Sequence, residues 1–136
     1  MRLLLAFLSL CSLAAAAAQT LRLGAVLPLS GPDAATGRAA AAALGAATES
    51  LAGGGLEVEL TVLDSRGSPA SAAEGLQALL EGGVHALVCC ENGALAAALT
   101  PLAGAEGVPT FGLTMGGGAT YFPLVGGEAA ELERLR

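Results

Sequence analysis

Glycines and small polar residues follow three apolar runs of this sequence, where they could bind a small polar molecule. They are Ser30 and Gly31 after LGAVLPL, Glu91, Asn92 and Gly93 after HALVCC, and Thr114 and Gly116 after TFGL. Side-chain hydroxyl, amide and carboxylate groups offer hydrogen-bond donors and acceptors, and glycine lets a ligand approach the backbone closely. These seven residues form the candidate ligand-binding site.

The segment around Asn92 also has a purely structural interpretation. Asn92 precedes a predicted helix that begins at Gly93, so its side chain is suited to capping that helix. The same helix start presents free N–H groups and partial positive charge, which suit a polar ligand. The sequence leaves both interpretations open.

The known phosphate-binding and nucleophile patterns are incomplete in this chain. Five residues separate Gly31 from Gly37, whereas a P-loop has four, and Pro32 between them lacks an N–H. Ser30 stands in LSGP rather than in the G-x-S-x-G of a nucleophile elbow. Nucleotide binding and serine hydrolysis are therefore not expected.

Histidine and aspartate chemistry is also unsupported. The single histidine, His85, precedes the third apolar strand, away from the candidate site, and is expected in a solvated loop. Asp64 has no paired acidic residue of the kind that a phospho-acceptor site needs, and we interpret it as a turn residue. We expect no catalytic residues, no metal, no cofactor and no enzymatic activity.

Residues 1–18 have the pattern of a cleaved signal peptide. Arg2 precedes the apolar segment LLLAFLSLCSL, and the following alanine run offers small-residue cleavage sites, of which we choose the bond after Ala18. Leu10 is too bulky for the residue before a lipidated cysteine, so lipidation of Cys11 is rejected. Cleavage leaves 118 residues, enough for one domain with a single core.

The charge of the chain excludes one class of partner. Six arginines and no lysine stand against twelve acidic residues, which gives a net charge of −6 at pH 7. The arginines are scattered, and binding to a phosphate backbone needs basic clusters. Nucleic acid is therefore not an expected partner.

The two cysteines beyond the signal peptide, Cys89 and Cys90, are adjacent and cannot join distant segments. Their apolar neighbours predict two small buried residues within a strand. A vicinal disulfide or a redox role are the alternatives.

Apolar runs, helical periodicity and glycine stops divide the mature chain into alternating strands and helices. Strands are predicted over 21–28, 56–63, 84–90 and 110–113, and helices over 34–51, 68–81 and 93–106. Asp33 is expected to cap the first helix. In the region 116–136 a glycine-rich loop, a possible extended segment YFPLV and a short helix from Glu128 are predicted.

This β-α-β-α-β-α-β order predicts an α/β fold with a doubly wound parallel sheet of strand order 2-1-3-4. In such sheets ligands bind beyond the carboxyl ends of the strands, at the point where the strand order reverses. The candidate residues follow strands 1, 3 and 4, so they fall at that edge.

Three segments carry a set of motifs in a fixed order: LRLGAVLPLSGPDAATG, LEVELTVLDSRGSPASAAEGLQALLEGGVHALV and LAAALTPLAGAEGVPTFG. The motifs are a strand ending in L-P-x-S-G, an acidic turn before S-P-x-x-A, a G-V-x-A-L-V strand and a helix that runs into E-G-V-P, one residue shorter than the pattern E-x-G-V-P. In this order they resemble the N-terminal lobe of the periplasmic leucine/isoleucine/valine-binding protein family, the type I substrate-binding proteins of ABC importers.

The resemblance extends over 21–113 and implies a periplasmic protein that binds an amino acid or a similar small polar solute. It also implies delivery of that solute to an ABC permease. Residues 19–115 would form a partial lobe, and the family's second lobe has no counterpart in this sequence. The expectation is therefore a truncated binding protein, which meets a permease only if a second lobe is supplied.

Two positions depart from amino-acid-binding members of the family. A gap-free alignment places Gly93 where those relatives have a hydroxyl, and Gly116 near the position of their second hydroxyl, with Thr114 two residues earlier. Glu91 adds negative charge where a ligand carboxylate would lie. These departures favour a neutral or amine-bearing ligand.

Three hypotheses follow, in decreasing order of support. The first is a solute-binding component, and the second is a vestigial or structural secreted α/β domain without a ligand, which predicts exposed apolar area. The third is a small secreted enzyme that uses Cys89 or Cys90, which predicts a reactive thiol.

Overall fold

The protein is described by a computed structural model over residues 20–89, 93–112 and 118–124. Its strands are β1 (Leu21–Leu27), β2 (Val58–Asp64), β3 (Ala86–Cys89), β4 (Thr110–Gly112) and β5 (Tyr121–Pro123). Its helices are α1 (Ala34–Gly53), α2 (Pro69–Glu81) and α3 (Gly93–Ala105).

The strands form one parallel sheet in the order β2-β1-β3-β4-β5. The predicted doubly wound sheet and its order 2-1-3-4 are confirmed, and β5 adds a fifth strand beside β4. Only eight residues separate Gly112 from Tyr121. A parallel connection usually takes a dozen or more residues, so the sequence gives little reason to pair this segment with β4.

The two faces of the sheet are covered unequally. Helices α2 and α3 pack against each other, and with β1, β2 and β4 they enclose the larger cluster of buried side chains, which includes Leu76, Leu87 and Leu99. Helix α1 lies on the opposite face, where it contacts β1 and β2. There it covers a smaller cluster built on Ala25, Leu27 and Val88.

The α1 face carries exposed aromatic surface at its β4–β5 end. The rings of Phe111 and Phe122 stack with centroids 5.6 Å apart, and Phe122 is 48% exposed. Leu124, just beyond β5, is 58% exposed. Strands of a parallel sheet are ordinarily covered on both faces, so this end of the sheet lacks a covering layer among the described residues.

Helix α1 approaches β1 closely through Gly37, one of its two buried residues. A Cβ atom at this position would overlap the backbone carbonyl group of Pro28, the residue after β1. Farther along the same helix, Gly45 has open space where a Cβ would be. The glycine at position 37 therefore sets the distance between helix and strand.

Two local predictions need correction. Asp33 occupies the N-cap position of α1, but its side chain makes no capping hydrogen bond. Strand β2 begins at Val58 rather than at Leu56, because the Leu56 N–H donates to the Leu51 carbonyl in the turn after α1. The predicted alternation is confirmed from Val58 onward, and β2 is an edge strand as predicted.

Cys89 is 2% exposed in β3, as predicted for a residue in a buried strand. Its sulfur is also disulfide-bonded, so Cys89 is buried as predicted but not as a free thiol. Cys90 lies outside the described residues. A disulfide sulfur is not a thiolate nucleophile, which weakens the enzyme hypothesis at Cys89.

Other predictions concern parts of the chain that the structure does not describe. The signal peptide over 1–18, the loop from residue 116 to 117 and the helix from Glu128 all fall there. Within the described helices, none combines the length and the apolar character that a membrane crossing requires.

Candidate functional site

Three of the seven predicted site residues lie in the described structure, all at the carboxyl edge of the sheet. Ser30 and Gly31 follow β1, and Gly93 is the first residue of α3. The other predicted site residues lie outside the described residues; they are Glu91, Asn92, Thr114 and Gly116. The helix-capping interpretation of Asn92 is therefore still a prediction.

The Asp64 carboxylate organises this edge by accepting four hydrogen bonds. Its Oδ1 accepts the backbone N–H groups of Leu29 at 2.8 Å, Ser30 at 3.2 Å and Arg66 at 2.8 Å. Its Oδ2 accepts the Ser30 hydroxyl at 2.6 Å. One side chain thus joins the loop after β1 to the loop after β2.

The pairing of the two strands brings these groups together. Leu27 lies opposite Asp64 in the parallel register, and the Ser65 N–H donates to the Leu27 carbonyl at 2.9 Å. Because both strands end at the same edge, the residues that follow Leu27 pass directly over the Asp64 side chain. Ser65 is fully buried beneath this contact.

The interpretation of Asp64 as a turn residue is confirmed, because its Oδ1 accepts the backbone N–H of Arg66, two residues on. Its bonds to Leu29 and Ser30 were not predicted. The available signal was positional: Asp64 is the last residue of β2, and Ser30 follows the end of the neighbouring strand β1 by three residues. The carboxylate needs no cationic partner here, because three backbone N–H groups donate hydrogen bonds to it and stabilise its charged form.

These contacts also change the acidity of the carboxyl group. The Ser30 hydroxyl bond, followed by the bond from the Arg66 N–H, lowers the pKa of Asp64 from 3.8 to about 2. Partial burial acts in the opposite direction and is outweighed. Asp64 is therefore ionised throughout the range in which the protein would work.

We expect this shift to make stability depend on pH in acid. The pKa of Asp64 is lower in the folded state than in the unfolded state, so its contribution is complete above about pH 4. The contribution declines as the pH falls below about 4 and is lost as the pH falls through the folded pKa of about 2. Asp64→Asn lacks this contribution, so the variant should unfold more easily than wild type at pH 7, and the difference should be much smaller at pH 2. Urea unfolding at pH 7, 4, 3 and 2 measures this.

Asp33→Asn is the matched control, because the Asp33 side chain lies at the same edge without a capping bond. Its stability should follow that of wild type across the same pH range. A constant difference between Asp64→Asn and wild type from pH 7 to pH 2 would contradict the assignment of the pH dependence to Asp64.

Gly31 brings the two loops into contact. Its φ is 85°, in the left-handed region, and a Cβ there would lie 3.2 Å from the Arg66 carbonyl oxygen. A side chain at position 31 would therefore be strained by the positive φ and would also crowd the Arg66 carbonyl oxygen. The Ser30–Gly31 turn and the Arg66 loop therefore form one continuous surface.

The opposite, amino edge of the sheet holds a cavity of about 650 Å³ lined by charged and polar residues, among them Arg22, Glu57 and His85. His85 is exposed, as predicted, and its Nδ1 accepts the Arg22 N–H at 3.1 Å. Within the described ranges, no three histidine, cysteine or acidic side chains are grouped closely enough to hold a metal ion. This cavity is open, and its groups bond to one another, so the carboxyl edge is the better candidate site.

Comparison with known proteins shows which proteins this chain is similar to. A family model for periplasmic binding proteins matches residues 20–130. Leu/Ile/Val-binding protein homolog 4 of Brucella abortus is 32% identical over 131 residues, which are 93% of this chain and 30% of the relative. The chain thus spans about 30% of the length of the curated relatives it matches.

Solved structures agree with this similarity. A possible leucine/isoleucine/valine-binding protein from Rhodopirellula baltica is 32% identical, with a TM-score of 0.64 over 70% of this chain and 27% of that one. An ABC transporter substrate-binding protein from Sphaerobacter thermophilus is 27% identical, with a TM-score of 0.67 over 77% of this chain and 32% of that one. In both structures the matched part is about a third of the whole or less.

Proposed function

Because this chain belongs to the periplasmic binding protein family, we propose that it is the solute-binding component of an ABC importer and forms one wall of the ligand cleft. The match of the family model over residues 20–130 carries the proposal. The protein acts in the periplasm after removal of residues 1–18, and it performs no catalysis. Its partners are a small solute and, together with a second lobe, an ABC permease.

The proposed solute is a small aliphatic amino acid. Support comes from the names of two relatives at 32% identity, in Brucella abortus and Rhodopirellula baltica, which both refer to leucine, isoleucine and valine. Such a ligand has a polar end that needs hydrogen-bond partners and an apolar end that needs a hydrophobic surface. The net charge of −6 does not prevent its approach, since the free amino acid is a neutral zwitterion.

The proposed wall of the cleft is the carboxyl edge of β1, β3 and β4. Ser30, Gly31 and the start of α3 at Gly93 lie there, and two hydrogen bonds to Asp64 hold Ser30 in place. The other wall belongs to the part of the relatives that has no counterpart in this chain. A ligand bound to one wall keeps roughly half of its surface in water, so we expect weak binding.

Titration of the ¹⁵N-labelled chain with leucine, isoleucine and valine, followed by NMR, tests the proposal. The amides of Ser30, Gly31 and Gly93 should shift with a dissociation constant of about 1 mM, which corresponds to about −4 kcal/mol. The amides of Gly82 and His85 at the amino edge serve as the internal control and should not shift. Absence of saturable shifts for all three amino acids would count against solute binding by this chain.

A second candidate function is a structural secreted domain without a ligand. The exposed aromatic and aliphatic surface at Phe122 and Leu124 favours it, because an uncovered apolar surface promotes association. In that case the NMR titration is flat, and the sedimentation coefficient rises with protein concentration. Specific shifts at the carboxyl edge distinguish the first function from the second.

A further inference from the structure

Arg66 stands out at the proposed cleft because of its backbone conformation. Its φ is 53°, and within the described ranges it is the only residue other than glycine with a positive φ. That region is unfavourable for side chains with a Cβ atom, and glycine or asparagine is the usual choice there. A long cationic side chain at such a position suggests that the side chain has a use.

The Arg66 loop is held firmly against the candidate site. The Arg66 N–H donates to Asp64 Oδ1 at 2.8 Å, and Asp64 also binds Ser30 through two hydrogen bonds. On its other side the Arg66 carbonyl faces Gly31 at close range. Arg66 is thus fixed beside the turn that supplies two of the candidate ligand-binding residues.

The other arginines of the described chain have hydrogen-bond partners, and the guanidinium of Arg66 does not. Arg22 donates to the Gly82 carbonyl at 3.2 Å, and Arg38 donates to the Leu29 carbonyl at 3.0 Å. Arg66 is exposed, and its guanidinium has no partner within the ranges that the structure describes. Its five N–H donors are available to another molecule.

Ser30 is less available than its position suggests. Its hydroxyl already donates to Asp64 Oδ2 at 2.6 Å, so it is left with acceptor capacity only. A ligand carboxylate cannot use an acceptor. Arg38 also lies at this edge, but the Leu29 carbonyl holds its guanidinium. Among the described residues here, the cation whose guanidinium has no partner is Arg66.

We propose that the Arg66 guanidinium binds the carboxylate of the solute, an inference that rests on the proposed function. A guanidinium can donate two parallel N–H bonds to a carboxylate, which fixes its orientation as well as its charge. Arg66 is then a specificity-determining residue that selects solutes with a carboxylate over neutral analogues. A preference for carboxylates differs from the sequence-based expectation of a neutral or amine-bearing ligand. That expectation was based on the charge of Glu91, which lies outside the described residues.

The test compares isoleucine with isoleucinamide, which has the same side chain and an uncharged amide in place of the carboxylate. Dissociation constants are measured by NMR on the full chain and on Arg66→Gly, Arg66→Lys and Arg22→Gln. Wild type should bind isoleucine at least tenfold more tightly than the amide. In Arg66→Gly that ratio should fall to about one, and Arg66→Lys should give an intermediate value because its ammonium is not bidentate.

Two controls separate binding from folding and from overall charge. Arg66→Gly should unfold at the same urea concentration as wild type or higher, because glycine adopts the left-handed region freely. Arg22→Gln removes the same charge at the opposite edge and should keep the wild-type ratio. If wild type binds isoleucine and the ratio survives in Arg66→Gly, the role of Arg66 is overturned while the proposed function stands. If wild type binds neither compound, both are overturned.

Discussion

Gly37→Ala is expected to destabilise the protein by about 3 kcal/mol, within the upper range for overpacked positions. An added Cβ would lie 2.6 Å from the Pro28 carbonyl carbon and 2.8 Å from Pro28 Cδ. Backbone atoms cannot rotate away as the end of a side chain can, so α1 must move off β1. That movement opens the cluster around Ala25 and Leu27, which α1 covers.

Gly45→Ala is the matched control, since it makes the same substitution in the same helix. No atom lies within 4 Å of the added Cβ, and replacing glycine by alanine inside a helix stabilises it by about 0.5–1 kcal/mol. The two variants should therefore shift the urea midpoint in opposite directions. Equal shifts would mean that the approach of α1 to β1 at Gly37 is not a determinant of the fold.

Leu99→Ala should cost about 2–5 kcal/mol, the range for removing a buried leucine side chain. Leu99 is 1% exposed in α3 and belongs to the larger buried cluster, where it packs with residues such as Leu76 and Leu87. The cost combines the lost burial of three carbon atoms, Cγ, Cδ1 and Cδ2, with the cavity that remains when the neighbours relax only partly. Thermal unfolding should show a lower midpoint, by roughly 4–8 °C per kcal/mol for a domain of this size.

Leu102→Ala gives the comparison, because Leu102 lies in the same helix but is 44% exposed. Its replacement should change stability by no more than about 0.5 kcal/mol. A small effect for both leucines would indicate that α3 does not pack against the sheet as described. A large effect for Leu102 alone would place its side chain against a surface outside the described residues.

The predictable part of this structure is the part that local patterns determine. Apolar runs bounded by glycines located β1 and α1 to within two residues, and the alternation of Val58, Leu60 and Val62 identified β2 as an edge strand. These strands and helices depend on neighbours in the sequence, so the sequence suffices for them. The predicted strand order 2-1-3-4 needed a further premise, that the helical crossovers reverse direction after the first one, as in doubly wound sheets.

The features that were missed depend on contacts between distant residues. The Asp64 carboxylate meets Ser30 across 34 positions, and neither residue alone indicates that contact. The positive φ of Arg66 occurs in the same loop, which the sequence pattern does not reveal. For the candidate site, the sequence could place Ser30 and Gly31 at the right edge of the sheet but could not tell that the Ser30 hydroxyl is already engaged.

The place of β1 in the sheet also has a kinetic consequence. β1 is first in the chain, yet its two neighbours are formed by residues that begin 37 positions later, at Val58 opposite Leu21, and 63 positions later, at Ala86 opposite Leu23. Closing such long loops costs entropy before any pairing energy is gained, which slows folding. Before β2 and β3 pair with it, both edges of a strand whose only charged residue is Arg22 stay open to other chains, and the β3 edge stays open longest. The yield of refolding should therefore fall as protein concentration rises. A substitution that stabilises α1 will raise this yield only if α1 already covers β1 in the transition state for folding.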